Sequence, residues 1–177
     1  MTAVMMGFPT LKGLSRETPS TYVSVLLNQT AALHYIDVAQ EYGLAGDVCP
    51  MPEAELGVSI DDDAPILGAC AVQCNTTCDG SLMSNGGIAK RLELEDGVPI
   101  FQLASPMRHR EDDVQDYAAQ EIKNCIAFIE EKTGEKWDWS YYFECAKRVN
   151  ESTRHRMEWL DMNKTDYPQV FGSNLAL

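Results

Sequence analysis

The sequence contains no hydrophobic run long enough to cross a membrane. A membrane-spanning helix needs about 20 consecutive apolar residues, and no segment of the 177 residues approaches that length. The N-terminal stretch MTAVMMGFPTLKG also lacks the basic region and the apolar region that together mark a secretory signal peptide. We therefore expect a cytoplasmic protein that does not bind membranes.

Basic residues are few and scattered along the chain. Against 14 Lys and Arg stand 27 Asp and Glu, which gives a formal net charge of −13. Proteins that bind nucleic acids concentrate Lys and Arg where they meet the phosphates, so we expect no nucleic-acid partner. With 45% hydrophobic and 23% charged residues the composition is that of a globular protein, and its length predicts a single domain over residues 1–177.

Hydrophobic periodicity predicts an α/β fold with three successive regions. Residues 1–45 form an N-terminal helical segment, whose helix runs from Pro19 to Tyr42 and stops at Gly43. Residues 111–165 carry two apolar stripes at helical spacing, and we expect them to form a C-terminal helical hairpin. Two candidate N-caps, Asp138 and Ser140, precede the second stripe.

The middle region, residues 46–110, carries most of the cysteines. Two prolines, a glycine and an acidic run predict irregular structure over residues 47–64. The chain then reads as a strand over residues 65–73, a helix that ends at Gly97 and a second strand over residues 98–104. A crossover of this length predicts two parallel strands in a right-handed βαβ unit. The expected fold is therefore a Rossmann-like, partly parallel sheet with flanking helices.

Six cysteines are unevenly distributed. Two of them, Cys125 and Cys145, fall inside predicted helices, where we expect buried packing residues. The other four lie between residues 49 and 78, namely Cys49, Cys70, Cys74 and Cys78. In a reducing compartment such thiols stay available as metal ligands or nucleophiles, so this part of the chain holds the candidate functional site.

Cys78 has the most informative position of the four. It lies between the end of the predicted strand and the start of the next helix, and open α/β sheets bind ligands at the carboxyl ends of their strands. A helix N-terminus also stabilises a thiolate. The polar residues Thr76, Thr77 and Asp79 surround the thiol in sequence.

The spacing of the cysteines leaves several interpretations open. Cys70, Cys74 and Cys78 form a C-x3-C-x3-C series, whereas structural zinc sites use cysteines two to four residues apart with a second pair or histidines nearby. The histidines lie far from this loop, and no C-x2-C redox pair is present. On a strand, Cys70 and Cys74 share one face, so they are either buried packing residues or additional ligands.

Over roughly residues 30–160 the chain resembles the 2-hydroxyacyl-CoA dehydratase family, which includes benzoyl-CoA reductase subunits. The main similarities are YIDVAQEYGLAGDVCPMPEAELG, with its Asp-x-Cys and later Leu-Gly, and the turn NTTCDG. Supporting similarities are the Val-Pro strand GVPIFQLASP, the helix that ends in FIEEKTG and the helix CAKRVNESTRHRMEWL. All five segments occur in the order and spacing of the family.

The resemblance implies Rossmann-like domains, each of which holds a 4Fe-4S cluster through three cysteines. Cys49 and Cys78 match two of these ligands. The third lies far downstream in the family, in a second domain that this sequence does not contain, so we expect a fragment or a reduced form. Cys74 is a candidate replacement ligand. We expect Thr76, Thr77 and Asp79 to orient the Cys78 loop.

The resemblance also implies an activity and partners. Family members eliminate water from a 2-hydroxyacyl-CoA through a ketyl radical, after an ATP-dependent iron-sulfur activator has delivered one electron. The implied partners are an acyl-CoA substrate, a second dehydratase subunit and that activator. The alternatives are a benzoyl-CoA reductase-type subunit, which reduces an aromatic ring, and a non-catalytic truncated partner domain.

Overall fold

The structure, a computed structural model, describes residues 2–14, 29–61, 68–74, 78–106, 108 and 110–168. These residues fall into two compact units, one within Lys12–Lys136 and the other formed by Thr2–Leu11 together with the chain from Trp137 onward. The helices are α1 (Thr2–Met5), α2 (Gln29–Tyr42), α3 (Pro50–Ile60), α4 (Asp79–Lys90), α5 (Asp112–Thr133) and α6 (Trp139–Asp161), and the strands are β1 (Ala71–Cys74) and β2 (Ile100–Leu103).

The two strands of the first unit pair in parallel, in a register that sets Ala71 opposite Ile100 and Cys74 opposite Leu103. Since α4 connects them, the predicted strand–helix–strand order and its parallel pairing are confirmed, and the fold is of the α/β class. The prediction of a strand from residue 65 was wrong in part. Gly68 and Ala69 precede the strand without pairing, residues 65–67 lie outside the described chain, and β1 itself is half-buried.

The two faces of this sheet contact different helices. Side chains alternate along a strand, and Ala71 and Ile100 pack on one face against a core made by α2, α3, α4 and the chain that follows them. On the other face, the Phe101 ring lies 5.5 Å from that of Phe128 in α5. The core residues of the first face are Ala39, Leu44, Leu56, Ile88, Leu92 and Val98.

Helix α3 corrects the expectation of irregular structure over residues 47–64. The two prolines that suggested a loop, Pro50 and Pro52, lie in the first turn of this helix. Backbone N–H groups in the first turn have no partner within the helix, so proline is tolerated there and its fixed φ suits the helix. The remaining turns bury Ala54, Leu56 and Val58.

Helices α2 and α3 cross at very short range. A Cβ atom on Gly57 would lie 1.9 Å from the backbone oxygen of Tyr35, so only glycine permits this approach. Helix α2 ends at Gly43, whose φ of +113° favours glycine, as predicted. The predicted start of this helix, at Pro19, lies outside the described residues.

The predicted helix end at Gly97 is also confirmed. Helix α4 continues into a π-helical turn, Arg91–Glu95, and Gly97 then adopts a φ of +67°. The Val98 N–H donates to the Leu92 carbonyl at 2.8 Å, which directs the chain into β2. Glycine thus supplies the left-handed conformation that reverses the chain between the helix and the strand.

The second unit is built around aromatic side chains. The Phe8 ring is buried and meets the Trp137 ring edge-on at 5.4 Å, and the Asp138 N–H donates to the Gly7 carbonyl at 2.8 Å. As predicted, Asp138 caps α6, since its carboxylate accepts the N–H groups of Ser140 and Tyr141 at 2.7 and 3.1 Å. No residue of α6 is buried.

Both helices of the predicted C-terminal hairpin are present as helices. They belong to different units, so their pairing stays a prediction, as does the single domain over residues 1–177. Within the described ranges, no helix is both long and apolar enough to span a bilayer.

Candidate metal centre

Cys49 and Cys78 occupy the same structural position in two helices. Cys49 is the N-cap of α3 and Cys78 is the N-cap of α4, and both have the extended backbone that precedes a first helical turn. For Cys49 this conformation follows from Pro50, because a residue before proline is displaced from the helical region. Both thiols therefore lie at helix ends that carry partial positive charge.

The two caps are neighbours in space. A Cβ atom on Gly80, in the first turn of α4, would lie 3.6 Å from the Cβ of Cys49 and 3.5 Å from its backbone nitrogen. The same atom would lie 3.3 Å from Pro52 Cγ. Because Gly80 has no side chain, the first turn of α4 can approach the cap of α3. The helix N-termini that carry Cys49 and Cys78, the two predicted ligands, are therefore neighbours.

Hydrogen bonds converge on the Cys78 sulfur. The Ser81 hydroxyl, the Ser81 backbone N–H and the Gly80 backbone N–H lower the pKa of the Cys78 thiol, against smaller opposing effects of burial and of the Asp79 carboxylate. The Ser81 nitrogen lies 3.4 Å from Cys78 Sγ. Cys78 is half-buried and Cys49 is exposed. A thiolate at position 78 is therefore both stabilised and accessible.

The thiols of β1 and α5 lie in a different environment. Residues 70, 72 and 74 share the sheet face of Phe101 and Leu103, which packs on α5. Burial is the main cause that raises the pKa of Cys125 to about 11, and it also raises the pKa of Cys70. Cys125 is fully buried, as predicted, whereas Cys145 in α6 is only half-buried.

The remaining predicted site residues are placed as follows. Cys74 lies on the sheet face that packs on α5, where its charge influences the Cys125 thiol. Asp79 is the exposed first residue of α4. Thr76 and Thr77 lie outside the described residues. The expected orienting roles of these three polar residues stay predictions.

Sequence reasoning missed the contributions of Gly80, Ser81 and Asn85. Gly80 permits the approach of the two caps, and Ser81 donates to Cys78. The Asn85 amide donates to the Cys74 carbonyl at 3.2 Å and so ties α4 to the end of β1. Gly and Ser directly after Cys-Asp at a helix start were a usable signal, because the third helical residue faces the cap. No sequence pattern indicated Asn85.

The described residues supply part of the ligand set of an iron-sulfur cluster. Two thiols at adjacent helix N-termini, one of them held by N–H and O–H donors, fit two of the thiolate ligands that such clusters require. Among the ranges that the structure covers, no three His, Cys, Asp or Glu side chains come close enough together to hold a metal ion. Cys49 and Cys78 therefore fit two of the ligand positions of a cluster.

Comparison with known proteins decides the family. The family model described as 2-hydroxyglutaryl-CoA dehydratase, D-component, matches residues 8–177, nearly the whole chain. The chain belongs to this dehydratase family. The resemblance seen in the sequence is thereby confirmed at the level of the family.

A curated dehydratase subunit is similar to this family member. The (R)-phenyllactyl-CoA dehydratase alpha subunit of Clostridium sporogenes is 25% identical over 158 residues, which cover 85% of this chain and 37% of that subunit. The chain therefore spans little more than a third of the length of this relative.

Proposed function

We propose that this chain is part of an iron-sulfur 2-hydroxyacyl-CoA dehydratase, in which Cys49 and Cys78 are cluster ligands. The observation that carries the proposal is that Cys49 and Cys78 are the N-caps of α3 and α4, whose first turns lie next to each other. Membership of the dehydratase family supports it independently of the geometry. The proposed cofactor is a 4Fe-4S cluster.

The two helix ends would contribute electrostatically to such a site. Clusters ligated by thiolates carry negative charge, and a helix N-terminus stabilises negative charge placed close to it. Cys49 and Cys78 each begin a helix, so both macrodipoles act on the same site. The third ligand would come from polypeptide outside the described residues, and Cys74 is not included because it lies on the sheet face that packs on α5.

The residues of this chain would hold and orient the cluster, and the cluster would supply the redox chemistry. A 4Fe-4S cluster held by Cys49 and Cys78 would supply the one-electron chemistry on which the elimination of water from a 2-hydroxyacyl-CoA depends. Cys49 and Cys78 would fix the position of the cluster, and the N–H and O–H donors around Cys78 would stabilise the charge on its sulfur.

The dehydratase family supports a proposal for the substrate class and the partners. The similar Clostridium sporogenes protein is named as the alpha subunit of a phenyllactyl-CoA dehydratase, and we propose a 2-hydroxyacyl-CoA substrate and a second dehydratase subunit here. An ATP-dependent iron-sulfur activator would supply the electron. Both comparisons name dehydratases, which favours elimination of water over the ring reduction of a benzoyl-CoA reductase.

Two observations favour an alternative of a different class. Among the described residues no three potential ligands come close together, and the chain spans 37% of the length of its relative. A non-catalytic domain that packs with a longer subunit would have these properties. The two possibilities differ in whether the purified chain holds iron.

The test is to measure iron and acid-labile sulfide per chain, with a visible absorption spectrum, after anaerobic purification and reconstitution. We expect about four irons and four sulfides for a complete cluster. Cys49→Ala and Cys78→Ala should lose this iron. Cys125→Ala is the matched control and should retain it, because Cys125 is buried against the sheet.

Two results would contradict the proposal. Equal iron loss in Cys125→Ala and Cys78→Ala would show that the loss of iron is not specific to the proposed ligand. A folded wild-type chain without iron, as judged by circular dichroism and metal analysis, would support the non-catalytic alternative instead.

A further inference from the structure

We propose that a second copy of this chain completes the metal centre, so that Cys49 and Cys78 of two copies hold one cluster at a twofold axis. The inference rests on the proposed function, because it takes these two cysteines as cluster ligands. It adds the partner that supplies the missing ligands, since a second copy is polypeptide beyond the described part of one chain.

One chain supplies half of the thiolates that a cluster needs. A 4Fe-4S cluster is usually held by four cysteines, and the N-caps of α3 and α4 provide two. Within the part of the chain that the structure describes, no group of three His, Cys, Asp or Glu could hold a metal ion. Two copies would bring two identical pairs of thiols together, which completes a set of four.

The surface beside these thiols is open and partly apolar. Cys49 is exposed and Cys78 is half-buried. Leu82 and Met83 follow within the first two turns of α4 and expose 55% and 48% of their surface. Residues four apart lie on the same face of a helix, so Leu82 lies one turn beyond Cys78. Exposed leucine and methionine side chains next to an incomplete site suit contact with another polypeptide.

A twofold axis accounts for both missing ligands with a single contact. In a symmetric dimer the same surface of each copy forms the interface, so every group on one side is repeated on the other. The helix starts that carry Cys49 and Cys78 would then number four around the cluster. Each of them favours the negative charge of the thiolates.

The charge of the chain opposes a dimer without the cluster. Each copy has a formal net charge of −13, and Asp79 adds a carboxylate to the first turn of α4. Stable interfaces bury roughly 800 Å² on each partner, and Leu82 and Met83 alone fall well short of that area. The bonds between iron and the thiolates must supply the remaining free energy. We therefore expect dimerisation to depend on the cluster.

The first experiment measures mass and iron on the same sample. The full chain is purified under anaerobic conditions and examined by sedimentation velocity before and after reconstitution with iron and sulfide. The metal-free chain should sediment as a monomer of 19.7 kDa, and the reconstituted chain at twice that mass. The dimer should hold about two irons and two sulfides per chain, half of the content of a cluster bound by one chain.

Other results separate this inference from the proposed function. A monomer that holds about four irons per chain would overturn the twofold arrangement and leave the proposed function intact. A folded chain that takes up no iron would overturn both, because the sample contains second copies and they would have failed to complete the site. A reconstituted dimer that keeps its mass and iron in Cys49→Ala and Cys78→Ala would overturn the ligand assignment.

The second experiment tests the contact surface without changing a thiol. Leu82→Glu places a carboxylate on both sides of the proposed axis, and like charges that face each other weaken an interface. We expect the dissociation constant of the reconstituted dimer to rise at least about tenfold, with a matching fall in iron content. Circular dichroism should show an unchanged fold because Leu82 is exposed.

Leu94→Glu is the matched control. Leu94 exposes 74% of its surface and lies in the π-helical turn at the far end of α4. This variant adds the same charge to the same helix away from Cys78, so its dimer mass and iron content should equal those of wild type. An unchanged dimer in Leu82→Glu, or an equal loss in Leu94→Glu, would overturn the position of the axis beside the start of α4.

Discussion

Cys78 and Cys125 carry the same side chain within the same compact unit, and the fold gives them opposite properties. Cys78 lies at the start of α4, where hydrogen bonds lower its pKa. Cys125 lies in the middle of α5 without solvent exposure, and burial raises its pKa to about 11. The comparison shows that the chemistry of a cysteine in this protein follows from its position relative to helix ends and to the core.

The difference has a simple physical origin. A thiolate needs donors or positive charge around it, and the N-terminus of a helix offers both. The interior of a helix that packs on a sheet offers neither, because its N–H groups are used within the helix and its surroundings are apolar. Cys125 is therefore a packing residue, and Cys78 is available as a ligand.

The largest expected effect is on chemical reactivity. At pH 7.5 iodoacetamide should modify Cys78 about a hundredfold faster than Cys125 or more, because a buried thiol with a pKa of about 11 is almost fully protonated at this pH. Peptide mass spectrometry after timed quenching gives both rates in one sample. In urea the two rates should become equal, and comparable rates in the folded protein would contradict the comparison.

The next effect is on the pH dependence of stability. Folded Cys125 keeps its proton up to about pH 11, whereas the unfolded thiol loses it near its ordinary value of 9.0. Between these values the unfolded state binds fewer protons, so the free energy of unfolding falls as the pH rises, by about 2 kcal/mol at pH 10.5.

Urea unfolding of wild type and Cys125→Ala at pH 8 and pH 10.5 isolates this contribution. Other groups titrate equally in both proteins, so the wild type should lose more stability over this range than the variant. Parallel losses in the two proteins would show that burial of Cys125 does not control its protonation.

A smaller effect tests the close approach that brings Cys49 and Cys78 together. Gly80→Val should lower the free energy of unfolding by about 1.5 kcal/mol, because its side chain would press on Pro52 and Cys49. Urea unfolding measures this loss. A greater distance between the Cys49 and Cys78 thiols should also lower the iron content. The protection of Cys125 from iodoacetamide should not change.

Gly86→Val provides the control for that substitution. Gly86 lies in the same helix, is exposed and has nothing within 4 Å of its Cβ position. Valine has a higher helix propensity than glycine, so this variant should be as stable as wild type or slightly more stable. Equal destabilisation by both substitutions would mean that helix propensity, and not the approach to Cys49, explains the Gly80 result.

Where the sequence carried strong local signals, the prediction held. Helices α5 and α6 follow from their apolar periodicity, and the predicted helix ends at Gly43 and Gly97 both adopt positive φ. The exception is α3, where prolines were interpreted as loop residues. Proline disrupts a helix in its interior but is favoured in its first turn. Proline by itself therefore does not distinguish a loop from the start of a helix.

The sequence by itself determined the βαβ order, the parallel pairing and the position of Cys78 between a strand and a helix. These features depend on periodicity, crossover length and turn residues, which act over a few neighbouring positions. Only the tertiary structure decided that the helix start at Cys78 lies beside the one at Cys49, that Gly80 permits this approach and that Cys125 is shielded from solvent. Contacts between distant segments depend on how helices pack, and packing is decided by the shapes of all the surfaces that meet.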